Sequence, residues 1–123
     1  MKGAGFGSPV ENRAVERAAM RHVARHFQGN GWTVRDVSKE KLGYDLLCTR
    51  RKSSLHVEVK GIAGSGRRFI ITAAERRRWM TDQSFVLALV TMARTASPTL
   101  DLHRGPSSIA GFHFEPLSFF VLS

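Results

Sequence analysis

Residues 43–61 read Gly-Tyr-Asp-Leu-Leu-Cys-Thr-Arg-Arg-Lys-Ser-Ser-Leu-His-Val-Glu-Val-Lys-Gly and contain two apolar runs with a polar break between them. Residues 44–49 and 55–60 have the length and the apolar content of β-strands. The basic and serine residues 50–54 are typical of a tight turn. We therefore predict a β-hairpin over this stretch.

The second predicted strand alternates between a polar and an apolar face. His56, Glu58 and Lys60 share one face, and the apolar residues between them lie on the other. Asp45, on the neighbouring strand, brings a second carboxylate close to Glu58. Hard oxygen ligands from two strands suit Mg²⁺, with Mn²⁺ as a substitute. We predict a metal site formed by Asp45, Glu58 and the backbone carbonyl of Val59, where Lys60 orients water or neutralises charge at phosphorus.

A first helix is predicted over about residues 9–29. Ser8 is a typical N-cap, Pro9 suits the first helical position, and Glu11 completes a capping box. Gly29 and Gly31 are typical of a helix end.

The same helix supplies a candidate third carboxylate. Its apolar stripe predicts a face packed on the sheet and consists of Val15, Ala19, Val23 and Phe27. Glu16 falls within this stripe, and a carboxylate directed at a core is costly unless it is paired. We predict that Glu16 completes the metal site, rather than Glu11, which we expect to project to the other side. A salt bridge or solvent exposure at the edge of the stripe is the alternative for Glu16.

The rest of the chain predicts an α/β fold with a mixed sheet flanked by helices. Further strands are expected at residues 32–37, 69–72 and 85–90, with 100–103 as another candidate. The continuous apolar run at 85–90 is typical of a strand buried on both faces. Thr72 to Glu75 form a second capping box, which opens a short helix to about residue 82 with Trp79 directed inward. The predicted order is helix, three to four strands, helix, strand. Residues 61–66 are expected to form a flexible loop beside the metal site.

Length and charge favour one domain with a polyanionic partner. We predict a single domain over 1–123, with a core at about 9–92 and an extension at 93–123 whose apolar tail finishes the core or contacts a second copy. The formal charge of +9 comes from 19 basic and 10 acidic residues, and makes nucleic acid the leading partner. A merely soluble basic protein is the alternative.

The lone Cys48 excludes an internal disulfide, and no apolar window approaches the roughly 18 residues that span a bilayer. We therefore expect a cytoplasmic protein, with association to the nucleoid as a further candidate location.

Several arginines are candidate contacts for a phosphate backbone. Those on the first helix recur every four residues and form a ridge on the face away from the core. Others lie in the loop before residue 69 and on the second helix. The predicted nucleic-acid-binding residues are Arg13, Arg17, Arg21, Arg67, Arg68, Arg76 and Arg77.

These motifs resemble a known superfamily, the PD-(D/E)XK nucleases, whose signature is an Asp on one strand, a Glu-x-Lys on the next and often a Glu on a preceding helix. The wider text at 15–20, 31–38, 43–46 and 58–61 is similar to a narrower family, named after the C-terminal region of the protein NO VEIN and related to the Mrr and Holliday-junction-resolvase groups. The resemblance covers about residues 10–92. It implies a restriction-endonuclease-like core and metal-dependent cutting of DNA.

Two functions from different classes fit these observations. The first is an Mg²⁺-dependent DNA endonuclease, directed by the structure or modification of its substrate rather than by sequence, or guided by a targeting partner protein. The alternative is a non-catalytic nucleic-acid-binding module on the same fold, and RNA is not excluded as the ligand. By analogy with junction resolvases, a homodimer is a candidate assembly.

Overall fold

The computed structural model describes residues 9–117, which form a five-stranded sheet with a helix on each face. The elements in chain order are α1 (Pro9–Gly29), β1 (Thr33–Asp36), β2 (Leu46–Arg50), β3 (Ser53–Gly61), α2 (Ala73–Thr81), β4 (Phe85–Thr91) and β5 (Thr99–Arg104). Two short 3₁₀ helices lie at Ser38–Glu40 and Pro106–Gly111. The predicted α/β fold is confirmed.

The sheet is mixed, and its spatial order follows the chain from β1 to β5. All neighbouring strands are antiparallel except β3 and β4, which are parallel and are connected through α2. Leu46 pairs with Val57 across the predicted hairpin, and Lys60 pairs with Leu89 in the parallel ladder. Because a parallel connection covers one face of the sheet and α1 covers the other, every residue of β4 is buried.

The core has two layers, one on each side of the sheet. On the first side, α1 contributes the predicted stripe, in which Ala19, Val23 and Phe27 are almost fully buried against β3 and β4. On the other side, Trp79 of α2 is fully buried with Phe85 and Leu87 of β4. Alternate residues of one apolar strand therefore hold both helices on the sheet.

A close approach between α1 and the end of β3 requires glycine at position 61. A Cβ added to Gly61 would lie 2.8 Å from Cβ of Ala19 and 3.1 Å from the backbone oxygen of Val15. The absence of a side chain thus allows the N-terminal half of α1 to pack directly beside the residue that follows Lys60.

The predicted strand at residues 69–72 is wrong, because this segment has no regular secondary structure and lies outside the sheet. Both neighbours of β3 are already taken, by β2 and β4. The segment leads instead into α2, and Phe69 and Ile71 pack against the layer around Trp79.

The candidate strand at 100–103 is confirmed as part of β5, which pairs with β4. Ser8 of the first predicted capping box and the part of the apolar tail after residue 117 lie outside the described residues. Within residues 9–117, no helix has the length and apolarity needed to cross a membrane.

Candidate functional site

The end of β3 opens into a cavity of about 610 Å³, which we name the carboxylate cavity. It lies between the N-terminal part of α1 and the start of α2. Its polar lining consists of five carboxylates and three cations, together with a few neutral groups. The charged residues are Glu11, Glu16, Asp45, Glu58, Glu75, Lys60, Arg68 and Arg94. The four residues predicted as catalytic are thus brought together around one space.

Asp45 lies directly before β2 and is held by the backbone of β3. Its N–H donates to the carbonyl of Val57 at 2.9 Å, and its Oδ2 accepts from the N–H of Val59, also at 2.9 Å. Burial raises the pKa of Asp45, against the opposing effects of the Val59 N–H and of Lys60. The carboxylate is therefore fixed in position, and it shares a side-chain hydrogen bond with Glu58.

Glu58 is the most deeply buried charged group of the site, with 2% of its side chain exposed. Its Oε2 lies 3.1 Å from Nζ of Lys60, whereas no hydrogen-bond donor within the described residues reaches its Oε1. Burial raises the pKa of Glu58 to about 9, and the charges of Asp45 and Glu75 add to this effect against Lys60. An oxygen in such surroundings requires either a proton or a cation.

Lys60 connects the sheet to α2 through two carboxylates. Its Nζ lies 3.1 Å from Glu58 Oε2 and 2.9 Å from Glu75 Oε1. Burial by itself lowers the pKa of Lys60, but the charges of Glu58 and Glu75 outweigh that effect and raise it overall. The side chain is therefore an ammonium group, which can donate hydrogen bonds but cannot take up a proton.

Glu75 also lines the carboxylate cavity, although the sequence predicts only a helix-capping role for it. The capping box is confirmed, since Glu75 N donates to Thr72 Oγ1 at 3.1 Å and Glu75 Oε1 accepts from Thr72 N at 3.0 Å. The same Oε1 also accepts from Lys60. Burial opposes ionisation, yet the Thr72 N–H and Lys60 lower the pKa of Glu75 overall.

The sequence does contain a signal that places Glu75 close to Lys60. The helix that returns from a strand to a parallel neighbour begins near the carboxyl end of that strand, which is where α/β proteins place their sites. A carboxylate in the first turn of α2 therefore falls close to Lys60. The extra strand predicted at 69–72 separated β3 from α2, so this proximity was not predicted.

The two carboxylates of α1 differ from their predicted positions. Glu16 is exposed and lines the edge of the cavity, so the prediction that it points toward the core is wrong and the exposed alternative holds. Glu11 lines the same cavity, which corrects the expectation that it projects to the other side. The reason is helical spacing. Residues four apart lie on the same face of a helix, so Glu11 lies on the same face as Val15.

The described residues contain no group of three His, Cys, Asp or Glu side chains arranged to hold a metal ion. Lys60 occupies the space between Glu58 and Glu75, and Glu16 stands at the rim. Asp45 and Glu58 contact each other through a side-chain hydrogen bond and both line the cavity.

His56 belongs to a separate network on the same face of β3. Its Nδ1 lies 2.6 Å from Oδ2 of Asp82, and its ring stacks on Tyr44 at 4.5 Å between centroids. Arg78 Nε lies 2.9 Å from the same Asp82 oxygen. Burial raises the pKa of Asp82, but the hydrogen bonds from His56 and the Ser84 N–H lower it overall. These contacts tie the end of α2 to the sheet.

The predicted arginines fall into three places. Arg13, Arg17 and Arg21 are exposed on α1, outside the lining of the carboxylate cavity. Arg68 lines this cavity and a second one, which is also lined by Arg67 and Arg76. Arg77 is exposed and lines neither. Their role in binding nucleic acid stays a prediction.

In a comparison with known protein families, residues 15–102 match the family described as "Protein NO VEIN, C-terminal". The matched span runs from α1 into β5 and includes Asp45, Glu58, Lys60 and Glu75. Comparisons with curated proteins and with solved structures gave no match. Because the family match covers well over half of the chain, the protein belongs to the NO VEIN C-terminal family.

Proposed function

We propose that the protein is a magnesium-dependent DNA endonuclease of the PD-(D/E)XK type, which hydrolyses phosphodiester bonds. The observation that carries this proposal is Glu58, whose buried Oε1 has no hydrogen-bond partner among the described residues and whose side chain lines a cavity with Asp45 and Glu75. Three carboxylates compete for one lysine, so the cluster has a deficit of positive charge.

A divalent cation fits this deficit. Asp45 and Glu58 supply hard oxygen ligands from two neighbouring segments, with the backbone carbonyl of Val59 as the proposed third. Mg²⁺ needs few protein ligands because it keeps several waters and binds substrate phosphate, and Mn²⁺ is a chemically similar substitute. Glu16 or Glu11 would contact it through water from the rim. When bound, the cation would act as a Lewis acid on the phosphate and lower the pKa of a bound water.

The remaining chemistry belongs to the side chains of the cavity. Lys60, held as an ammonium by Glu58 and Glu75, donates hydrogen bonds toward the non-bridging oxygens of the phosphate or toward the attacking water. It thereby stabilises the negative charge that builds at phosphorus in the transition state. The Val59 N–H keeps the Asp45 carboxylate oriented before substrate arrives. The charge of +9 favours a polyanionic substrate.

The direct test is a cleavage assay with labelled linear, nicked, flapped and four-way DNAs in Mg²⁺, in Mn²⁺ and in chelator. We expect metal-dependent cutting by the wild type. Asp45→Asn and Lys60→Gln should each lower the rate at least about 10²-fold, the usual cost of losing a group that stabilises the transition state. Full activity of either folded variant would contradict the assignment.

Matched variants of the rim carboxylates identify which one assists. Glu11→Gln and Glu16→Gln remove the same charge from neighbouring turns of α1, and both positions line the cavity. We expect only one of the two to raise the Mg²⁺ concentration needed for half-maximal cutting. Glu40→Gln serves as the control, because Glu40 is exposed and lies outside both cavities.

A non-catalytic nucleic-acid-binding module is the second candidate. The ion pairs of Lys60 with Glu58 and Glu75 favour this candidate. In the described part of the chain, no three side chains are arranged to bind a metal ion. Tight DNA binding with no cleavage of any substrate under either metal would support this alternative.

A further inference from the structure

A second cavity lies beside the carboxylate cavity, on the side of α2 that faces the final described residues. Its volume is about 1120 Å³, above the ~300–1,000 Å³ that is usual for ligand pockets. We name it the aromatic groove, and define it by Phe69, Phe112, Phe114, Arg67, Arg68 and Arg76.

The groove combines partly exposed aromatic rings with cations. All three phenylalanines are only partly buried. The guanidinium of Arg76 lies over the ring of Phe114, 4.6 Å from its centroid. Phe69 and Phe112 meet edge to face at 6.0 Å, so the lining presents ring surfaces in different orientations. Aromatic faces and arginine planes are the groups on which unpaired nucleobases stack.

A buried polar atom in the lining lacks a partner. His103 packs against Phe112 at 4.9 Å between ring centroids and lines the groove. Its Nε2 is buried and has no hydrogen-bond partner among residues 9–117. Such an atom is costly unless a ligand or water satisfies it.

The groove is continuous with the proposed active site. Arg68, Phe69 and Ile70 line both cavities. The start of α2 separates them, with Glu75 on one side and Thr72, Ala73 and Arg76 on the other. A strand with a phosphate at Lys60 can therefore run across this segment and enter the groove.

We propose that the aromatic groove binds an unpaired nucleotide of the DNA strand that flanks the phosphate in the carboxylate cavity. This rests on the proposed function for the placement of the phosphate, and it deepens that function by naming the substrate as DNA with a single-stranded segment. The base stacks on the guanidinium plane of Arg76, which the ring of Phe114 supports from below, and Arg67 and Arg68 contact the backbone. Paired bases cannot enter, because their faces are covered by their neighbours in the duplex.

The positive charge of the groove lining favours a nucleotide over an apolar occupant. Three arginines line the groove against the single lining carboxylate of Glu115, and one of them, Arg67, is also paired with Asp101 just outside the lining. A second copy of this chain, which carries a net charge of +9, would place like charges opposite this lining.

The test is fluorescence anisotropy with a labelled single-stranded 12-mer and the matching blunt duplex, in chelator so that cleavage cannot occur. We expect Phe114→Leu, which keeps an apolar side chain but removes the ring, to weaken single-strand binding about tenfold. Duplex binding should change less than about twofold. Thermal unfolding of each variant checks that the fold is kept.

Another exposed arginine provides a matched control for charge. Arg76 lines the groove, whereas Arg51 is exposed in the turn before β3 and lines neither cavity. Arg76→Gln should weaken single-strand binding five- to tenfold, and Arg51→Gln less than about twofold. Equal losses would mean that only net charge matters, and would overturn the proposal.

An abasic scan locates the stacked base. Replacing one nucleotide at a time by an abasic residue should weaken binding to the wild type at one or two adjacent positions. The same replacements should have no effect with Phe114→Leu, because the ring they depend on is gone.

The outcomes separate this proposal from the nuclease assignment. Binding that depends on Phe114 without cleavage would keep the groove and reject the nuclease. Cleavage with single-strand binding unchanged in Phe114→Leu would keep the nuclease and reject the groove. Absence of single-strand binding by the wild type, or dimer formation that Phe114→Leu abolishes in sedimentation velocity, would also overturn the proposal.

Discussion

At the scale of the residue, Glu75 both caps α2 and holds the lysine of the candidate site. Its Oε1 accepts from Thr72 N and from Lys60 Nζ, so one oxygen couples the start of a helix to the chemistry. Glu75→Gln keeps an oxygen that can accept both bonds but removes the charge. This variant therefore separates the electrostatic role of Glu75 from its capping role.

The Glu75→Gln variant should lower the pKa of Lys60, because Glu75 is one of the two charges that raise it. We expect the cleavage rate to fall roughly ten- to hundredfold, and the alkaline limb of the pH–rate profile to move to lower pH. The measurement compares the pH–rate profile of Glu75→Gln with that of Glu40→Gln, which removes an exposed carboxylate from the surface. An alkaline limb that stays in place would contradict a role for Glu75 in holding Lys60 protonated.

Glu58 should make stability depend on pH. Burial raises its pKa from 4.5 to about 9, so its folded state holds a proton that the unfolded state releases. The resulting stabilisation is present below about pH 4.5 and is lost as the pH rises through about 9. Glu58→Gln does not titrate at this position, and its melting temperature should therefore rise relative to the wild type between pH 5 and pH 9.

Calorimetry of both proteins over this pH range measures the difference. The gain at high pH should reach on the order of 1–3 kcal/mol, the cost of an unsatisfied buried group. Added Mg²⁺ should stabilise the wild type and leave Glu58→Gln almost unchanged. A constant difference between the two proteins at every pH would contradict the raised pKa.

At the scale of the element, the packing of α1 on β3 depends on a single missing side chain. A Cβ at position 61 would overlap Ala19 and crowd the backbone of Val15. Gly61→Ala should therefore cost about 1–3 kcal/mol of unfolding free energy, as overpacked substitutions do. It should also lower cleavage, since α1 carries the rim carboxylates and position 61 follows Lys60.

Urea unfolding of Gly61→Ala beside Gly64→Ala measures this cost. Gly64 lies in the loop after β3, and an added Cβ there meets nothing within 4 Å. We expect Gly64→Ala to change stability by less than about 0.5 kcal/mol. Equal stabilities of the two variants would show that α1 does not contact the end of β3 as described.

At the scale of the whole molecule, the excess of basic residues should give a DNA affinity that falls steeply with salt. Each phosphate contact to duplex DNA contributes about −0.9 to the slope of log K against log salt concentration. Arg17 is exposed on α1 in the half of the helix beside the carboxylate cavity. We expect Arg17→Gln to reduce the magnitude of the slope by about 0.9.

Arg51→Gln is the control for this measurement. Arg51 is exposed in the hairpin turn, at the end of β3 opposite Lys60. Its loss removes the same charge and should leave the slope almost unchanged. If both variants reduced the slope equally, DNA would contact the surface without a preferred orientation.

The sequence by itself determined the elements and the centre of the candidate site. Period-two alternation placed Glu58 and Lys60 on one face of a strand, and a short turn brought Asp45 to the same place, because these relations are local in the chain. The stripe of α1, the capping box of α2 and the doubly buried β4 were predictable for the same reason. The extra strand at 69–72 was predicted wrongly, because its apolar residues pack beside the sheet rather than within it.

Only the tertiary structure decided what surrounds that centre. Glu75 contacts Lys60 because the parallel crossover brings the start of α2 to the end of β3. The number of residues between Lys60 and Glu75 in the sequence does not reveal this proximity. Glu16 stands at the rim because the close approach at Gly61 fixes how α1 lies on the sheet. The Oε1 of Glu58 is buried without a partner among residues 9–117, and burial is a property of the folded chain.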